Sequence, residues 1–164
     1  MATQVQFRRG TTSQHGSFTG AVGEVTVDTD KDTVVVHDGS QAGGFAIPNL
    51  KTAQEFTKTQ NFNATTLSDA STIAWDASSN QVAKVTLGGN RTLGAATNQV
   101  DGAVYVLTVI QDGTGGRTLS FNSNYKFTGG TAPTLTTAAS AKDVIVFLSN
   151  GTNMLEIGRS LNVS

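Results

Sequence analysis

Helical periodicity is almost absent from this chain, and that constrains its fold more than any motif does. Short runs of strand-forming residues recur instead, each closed by Gly, Asn, Asp or Ser. The spacing predicts strands over residues 4–7, 22–27, 33–37, 45–47, 72–75, 82–87, 103–110, 117–121, 144–148 and 154–157. In GEVTVDT, Val25 and Val27 share one face while Glu24, Thr26 and Asp28 share the other. In AVYVLTVIQ, Val104, Val106, Thr108 and Ile110 oppose Tyr105, Leu107 and Val109. Both sets are mostly apolar, which predicts a central strand covered on both sides. The fold class expected is all-β.

The one stretch with helical spacing is PNLKTAQEFTKTQNF. Leu50, Ala53 and Phe56 lie three apart, and Pro48 suits a helix start. Read otherwise, the same stretch is a polar linker in which Phe56 and Phe62 anchor the next domain. Either way it divides the chain. The organisation expected is a small β-hairpin or β-prism-like module over 1–48, a linker or short helix over 49–70, and a jelly-roll-like β-sandwich over 71–164. Modules of this size are marginal alone. Turn chemistry repeats between the halves: HDGSQAGGF and QDGTGGRTLSF share a strand end, an Asp-Gly, a polar gap, a Gly-Gly and an apolar residue.

Composition narrows the partners. Charged residues make up 14% of the chain, below the roughly 25% of an ordinary soluble domain, and the net charge is -1. Nothing there attracts a polyanion, so no nucleic-acid partner is expected. The absence of cysteine excludes disulfides and thiolate zinc sites. It also suits a protein that folds in a reducing cytosol and works outside it. The start MATQVQFRRG has no apolar core of a signal peptide, and the longest apolar run, DVIVFLSN, is too short to span a bilayer, so no membrane insertion is expected.

Candidate sites were weighed residue by residue. His37-Asp38 in VVVHDGS could bind a metal or move a proton, yet the only other histidine is His15, in a Gly/Ser/Thr-rich loop without ligand spacing. The favoured reading is a strand end followed by an Asp38-Gly39 turn, with His37 replaceable by Gln. Asp28, Asp30 and Asp32 open like a calcium loop, but Thr33 stands where the turn glycine belongs and Gly39 where the glutamate belongs. A hairpin tip explains them, and exposed carboxylates there discourage edge pairing. DGTGGRT lacks the Lys-Ser/Thr of a phosphate loop and precedes a strand. No serine sits in a nucleophile elbow. Glu55 and Glu156 form no legible acid pair. Trp75, Tyr105 and Tyr125, with Phe127 beside it, could stack a sugar; core packing is the favoured reading. The sequons at Asn63, Asn90, Asn150 and Asn162 are expected by chance in so Thr- and Ser-rich a chain. No catalytic, cofactor-binding or metal-ligating residue is assigned, no cofactor is expected, and the protein is expected not to be an enzyme.

One resemblance sharpens this. The stretch VQFRRGTTSQHGSFTGAVGEVTVDTDKDTVVVHDGSQAGGFAIPN resembles a module of tailed-phage virion proteins, the N-terminal β-prism domain of the major tropism determinant family and the starts of many tail fibres. The matching points are Arg8-Arg9-Gly10-Thr11, Gly23-Glu24 before a strand, the acidic hairpin tip and His37-Asp38-Gly39. The segments TLGGNRTLGAATN, GAVYVLTVIQDGTGGRTLSF and GTAPTLTTAASAKDVIVFLSNGTNMLEI resemble β-rich C-terminal domains of phage tail and fibre proteins. The resemblance implies a virion structural protein, made in the host bacterial cytoplasm and exposed on the phage particle as a homotrimer. It implies a first module that docks or trimerises. Its partners would be copies of itself, other virion proteins (tail or major capsid protein) and a host surface glycan. Two positions stay open: a tail-fibre or adsorption component, or a capsid decoration (cement) protein. A glycan-degrading tail protein is a third class.

Overall fold

The period-two runs become thirteen strands among the described residues. The computed structural model describes residues 6–48, 58–79 and 81–163, and the chain divides into two units, residues 1–60 and 61–164. Of the stretch expected as a helix, residues 49–57, with Leu50, Ala53, Glu55 and Phe56, lie outside the described residues, and residues 58–62 are not helical. No described helix is long and apolar enough to cross a membrane.

The first unit is a four-stranded sheet in the order β1 (Arg8–Gly10), β2 (Val25–Asp28), β3 (Thr33–Val36), β4 (Phe45–Ala46). Here β1 runs parallel to β2, and the other pairs are antiparallel. A five-residue helix, α1 (Thr12–Gly16), fills the connection from β1 to β2. Its start is a capping box: the Thr11 hydroxyl accepts from the Gln14 N–H at 3.2 Å, and the Gln14 side chain accepts from the Thr11 N–H at 2.9 Å. The hairpin tip closes where Asp28 Oδ1 accepts from the amides of Asp30 and Lys31.

This sheet inverts the usual amphipathic arrangement. Its buried face carries Thr26, Asp28, Thr33 and His37 around Val35. The face left open carries Val34 and Val36, beside Phe45 and Ile47, each of the latter pair at least half exposed. Val25 and Val27 lie opposite Val36 and Val34 and are half-buried.

The second unit has two sheets. Its strands are β5 (Thr65–Thr66), β6 (Thr72–Ile73), β7 (Val82–Leu87), β8 (Arg91–Leu93), β9 (Val104–Gln111), β10 (Leu119–Phe121), β11 (Tyr125–Lys126), β12 (Lys142–Ser149) and β13 (Met154–Ser160). The large sheet has the order β11-β13-β12-β9-β7-β5, the small one β10-β8-β6. Successive strands from β5 to β10 alternate between the two sheets, and within each sheet they run parallel. Each coil therefore stacks on the one before, as in a β-helix: Thr65 lies opposite Ala83, and Val82 opposite Val106. The return path between parallel strands, often a helix, is here a strand of the facing sheet. The antiparallel hairpin β12–β13 then adds to β9, and β11 pairs in parallel with β13. The all-β class stands. The two packed sheets are built by parallel coiling, however, and not by the antiparallel Greek keys of a jelly roll.

Inward residues of both sheets meet in one core. Ile73, Leu93 and Leu119 from the small sheet join Val85, Leu87, Leu107, Val109, Ile145 and Phe147 from the large one. Each fully buried side chain of this kind contributes about 1.5–3 kcal/mol. The strand β9 is internal in its sheet, as expected, but only its Tyr105–Leu107–Val109 face is fully covered. The Val106, Thr108 and Ile110 face is half-buried, and Val104 is 42% exposed.

Candidate functional site

The histidines that raised the question of chemistry are joined by one hydroxyl. The Thr26 Oγ1 lies 2.8 Å from His15 Nε2 and 3.0 Å from His37 Nε2. At the outer ends, His15 Nδ1 lies 3.0 Å from the Thr11 carbonyl, and the Gly20 N–H donates to His37 Nδ1 at 3.3 Å. A carbonyl only accepts and an amide only donates, so the partners fix the tautomers of the neutral rings. His15 carries its proton on Nδ1 and His37 on Nε2. The chain runs in one direction: Gly20 N–H to His37, His37 to Thr26, Thr26 to His15, His15 to Thr11.

Every member is consumed by this chain. His15, Thr26 and His37 are all buried. Phe18 meets the His37 ring edge-on at 5.2 Å. A Cβ on Gly20 would sit 2.6 Å from His37 Cγ, and one on Gly44 would sit 2.7 Å from His37 Nδ1, so the backbone closes on the ring from two sides. The expectation that His37 is a replaceable strand end is therefore corrected: its ring is a packed, doubly hydrogen-bonded piece of the core. Among the described residues no group of three or more His, Asp or Glu is placed to hold a metal ion.

The repeated Asp-Gly turns share a mechanism. Asp38 Oδ1 accepts from the amides of Ser40 and Gln41, and Asp112 Oδ1 accepts from those of Thr114 and Gly115. The backbone amide of Gln41, then the Ser40 groups, hold the Asp38 carboxyl below its usual range. For Asp112 the leading cause is the Arg117 guanidinium, which donates two bonds to Oδ2. Asp69 is lowered first by Arg91, through a bidentate pair at 2.7 and 2.8 Å. Asp28 and Asp30, the supposed calcium ligands, receive the Thr12 hydroxyl and the Thr12 amide respectively. These carboxylates tie loops to strands. Glu156 accepts from the Thr128 amide and pairs with Arg159.

The aromatics divide cleanly. Trp75, Tyr105 and Tyr125 are buried, and Trp75 packs edge-on against Tyr105 at 6.0 Å. Burial pushes the Tyr125 phenol well up, and its hydroxyl donates to the Gly94 carbonyl at 3.1 Å. Core packing is thus their role. Each unit also carries a concavity among its described residues. The first, about 240 Å³, is lined by Arg8, Arg9, Gln14, His15 and Phe18. Arg8 there pairs with Glu24 at 2.8 Å and lies over the Phe18 ring. The second is an open groove of about 580 Å³ whose lining includes Phe62, Asn63, Gln81 and Asn98. Sequence reasoning missed this groove. Its only signal was a phenylalanine between two asparagines, Asn61-Phe62-Asn63, outside any apolar run.

The chain is similar to known proteins over most of its length. Residues 5–41 match the family model described as the major tropism determinant N-terminal domain. A tail fiber receptor-binding protein of Bordetella phage BPP-1 is 41% identical over 143 residues, a match covering 80% of this chain and 36% of that protein. The chain thus spans about a third of the length of the curated relative it matches. Among solved structures, the major tropism determinant P3c variant is 69% identical over 27% of this chain and 12% of its own, with a TM-score of 0.27. The U1 variant is 29% identical over 93% of this chain and 42% of its own, with a TM-score of 0.30. Residues 52–154, more than half of the chain, match the model described as the putative phage tail fibre C-terminal domain, and the chain belongs to that family.

Proposed function

We propose that this chain is a non-enzymatic part of a phage tail fibre, exposed on the virion as a homotrimer, that takes part in contact with the host receptor. The observation that carries the reading is the 41% identity to a tail fiber receptor-binding protein. Both family models concern tropism or tail fibres, which favours the tail over the capsid decoration alternative. Both histidines, Asp38 and Glu156 are engaged in structural hydrogen bonds, which supports a binding role over a hydrolytic one.

The homotrimer is supported by the open valine face of the first unit. Val34, Val36, Phe45 and Ile47 form an exposed apolar surface on a small sheet whose other face is polar. Such a surface calls for a partner, and copies related by a closed rotation supply one. On this reading the module over residues 1–48 trimerises or docks to the tail, and the sheets over 71–164 present loops outward. Val36→Arg tests the assembly: light scattering should give a trimer for the parent and a monomer for the variant, and a monomeric parent refutes it.

Function is tested on the particle and on cells. Gold-labelled antibody should mark the tail of purified virions; label spread over the head would instead support capsid decoration. The purified protein should compete with its phage for adsorption to the host. New reducing ends after incubation with host polysaccharide would overturn the non-enzymatic role.

A further inference from the structure

The groove of the second unit joins an exposed aromatic ring to a set of neutral amides. Its described lining contains no charged side chain. Its volume of about 580 Å³ lies within the roughly 300–1,000 Å³ of small-ligand sites. Phe62 offers an aromatic ring that is 59% exposed. Around it stand four amide side chains: Asn61, Asn63, Gln81 and Asn98.

Two of these groups are held in place by the fold. Asn98 occupies the left-handed region at φ 56, and its Nδ2 donates to Asp76 Oδ1 at 3.0 Å. Its carbonyl oxygen remains an acceptor. Tyr105, also among the lining residues, is 1% exposed, and its hydroxyl accepts the Val100 N–H at 3.0 Å. The fold thus fixes the Asn98 amide and the wall behind it.

We infer that this groove binds an uncharged glycan of the host surface, with Phe62 stacked on one sugar ring and the surrounding amides pairing with its hydroxyls. The inference rests on the receptor-binding reading. A sugar ring has an apolar C–H face and a rim of hydroxyls that each donate and accept. An exposed phenyl gives the first a partner by dispersion and its negative π face. Amides give the second both donors and acceptors in fixed planes. A carboxylated or sulfated sugar would lose hydration here and gain no opposite charge.

The test titrates the full chain with a panel of neutral hexose and N-acetylhexosamine oligosaccharides, alongside sialylated and sulfated ones, read by saturation-transfer NMR and calorimetry. Neutral members should bind. Phe62→Ala and Asn98→Gly, the latter keeping the left-handed backbone, should each weaken binding by about tenfold. Arg8→Ala in the first unit should not. Unchanged Trp75 fluorescence will show that the variants are folded. No binding of neutral sugars, a preference for charged ones, or parental affinity in Phe62→Ala overturns the inference. Cell binding separates the two levels. If the parent and Phe62→Ala bind host cells equally, the groove fails and the receptor reading stands; if neither binds cells yet neutral sugars bind the groove, the receptor reading fails alone.

Discussion

Replacing Thr26 with valine keeps the shape of the side chain and removes only the hydroxyl that joins His15 to His37. Two buried groups then lose their partner: Nε2 of His15 loses a donor, and the N–H of His37 loses an acceptor. Each such orphan costs about 1–3 kcal/mol, so the expected loss is about 2–6 kcal/mol. A domain has about 5–15 kcal/mol in total, and one this small has less to lose. Thr26→Ser is the control. It keeps the hydroxyl and deletes one methyl, worth about 0.8 kcal/mol. The only tryptophan, Trp75, belongs to the second unit. The assay is therefore native-state hydrogen exchange of the β2 and β3 amides, with nitrogen-15 shifts of the imidazoles. The parent should show a protonated Nδ1 on His15 and a protonated Nε2 on His37. Valine should raise exchange across the first unit while leaving β9 and β12 protected. Equal exchange in the valine and serine variants, or the opposite tautomers, would refute the one-directional chain.

Other expectations are equally concrete. Gly39 has φ 80 and faces Val22, whose Cγ2 lies 2.8 Å from where a Cβ would stand. Gly39→Val should therefore cost at least about 1–2 kcal/mol in thermal unfolding of the first unit, and His37→Gln should be more harmful than a surface change, since Gln cannot reproduce the ring contact with Phe18. The lowered native carboxyls of Asp69 and Asp112 mean that the unfolded chain binds more protons in acid. Their stabilisation should be full above the unfolded carboxylate value of about 3.9 and fade as pH falls below it towards the native values; urea unfolding from pH 7 to 3 should show this acid limb, shallower in Asp112→Asn. Tyr125→Phe removes the bond to the Gly94 carbonyl and should lower stability by about 1 kcal/mol, seen as an earlier loss of Trp75 fluorescence.

Strands with strong alternation were legible. The run at 82–87 forms β7 with those bounds, the run at 103–110 forms β9 one residue further on, and the run at 144–148 forms β12 with a small extension. Strands β5, β8 and β11, of two or three residues, were not legible, because so short a run shows no alternation and its parallel neighbour is what defines it. The helix α1 could have been found from its Thr11-x-x-Gln14 box, which was overlooked in a loop full of small polar residues. Alternation in β2 and β3 gave two faces correctly but could not say which is inside. The polar face is buried because Thr26 and Asp28 meet partners distant in sequence, His15 and Thr12 of α1. For the same reason His37 read as a replaceable strand end: what encloses it comes from Phe18, Gly20 and Gly44.

The place of β11 in the large sheet has a consequence for synthesis. The nascent chain can stack β5 to β10 coil by coil, each strand from β7 onward adding to an edge already made. By that rhythm the next strand to leave the ribosome, β11, would settle on the open edge of β9. In the finished fold that edge belongs to β12, through seven residue pairs, and β11 reaches the sheet only beyond β13. A long β11 would be a competitor, able to trap the chain one coil too early. At two residues, Tyr125–Lys126, it has too few backbone bonds to hold the wrong berth and is easily displaced when β12 emerges. Lengthening it should therefore show as slowed refolding and aggregation with little change in the final fold.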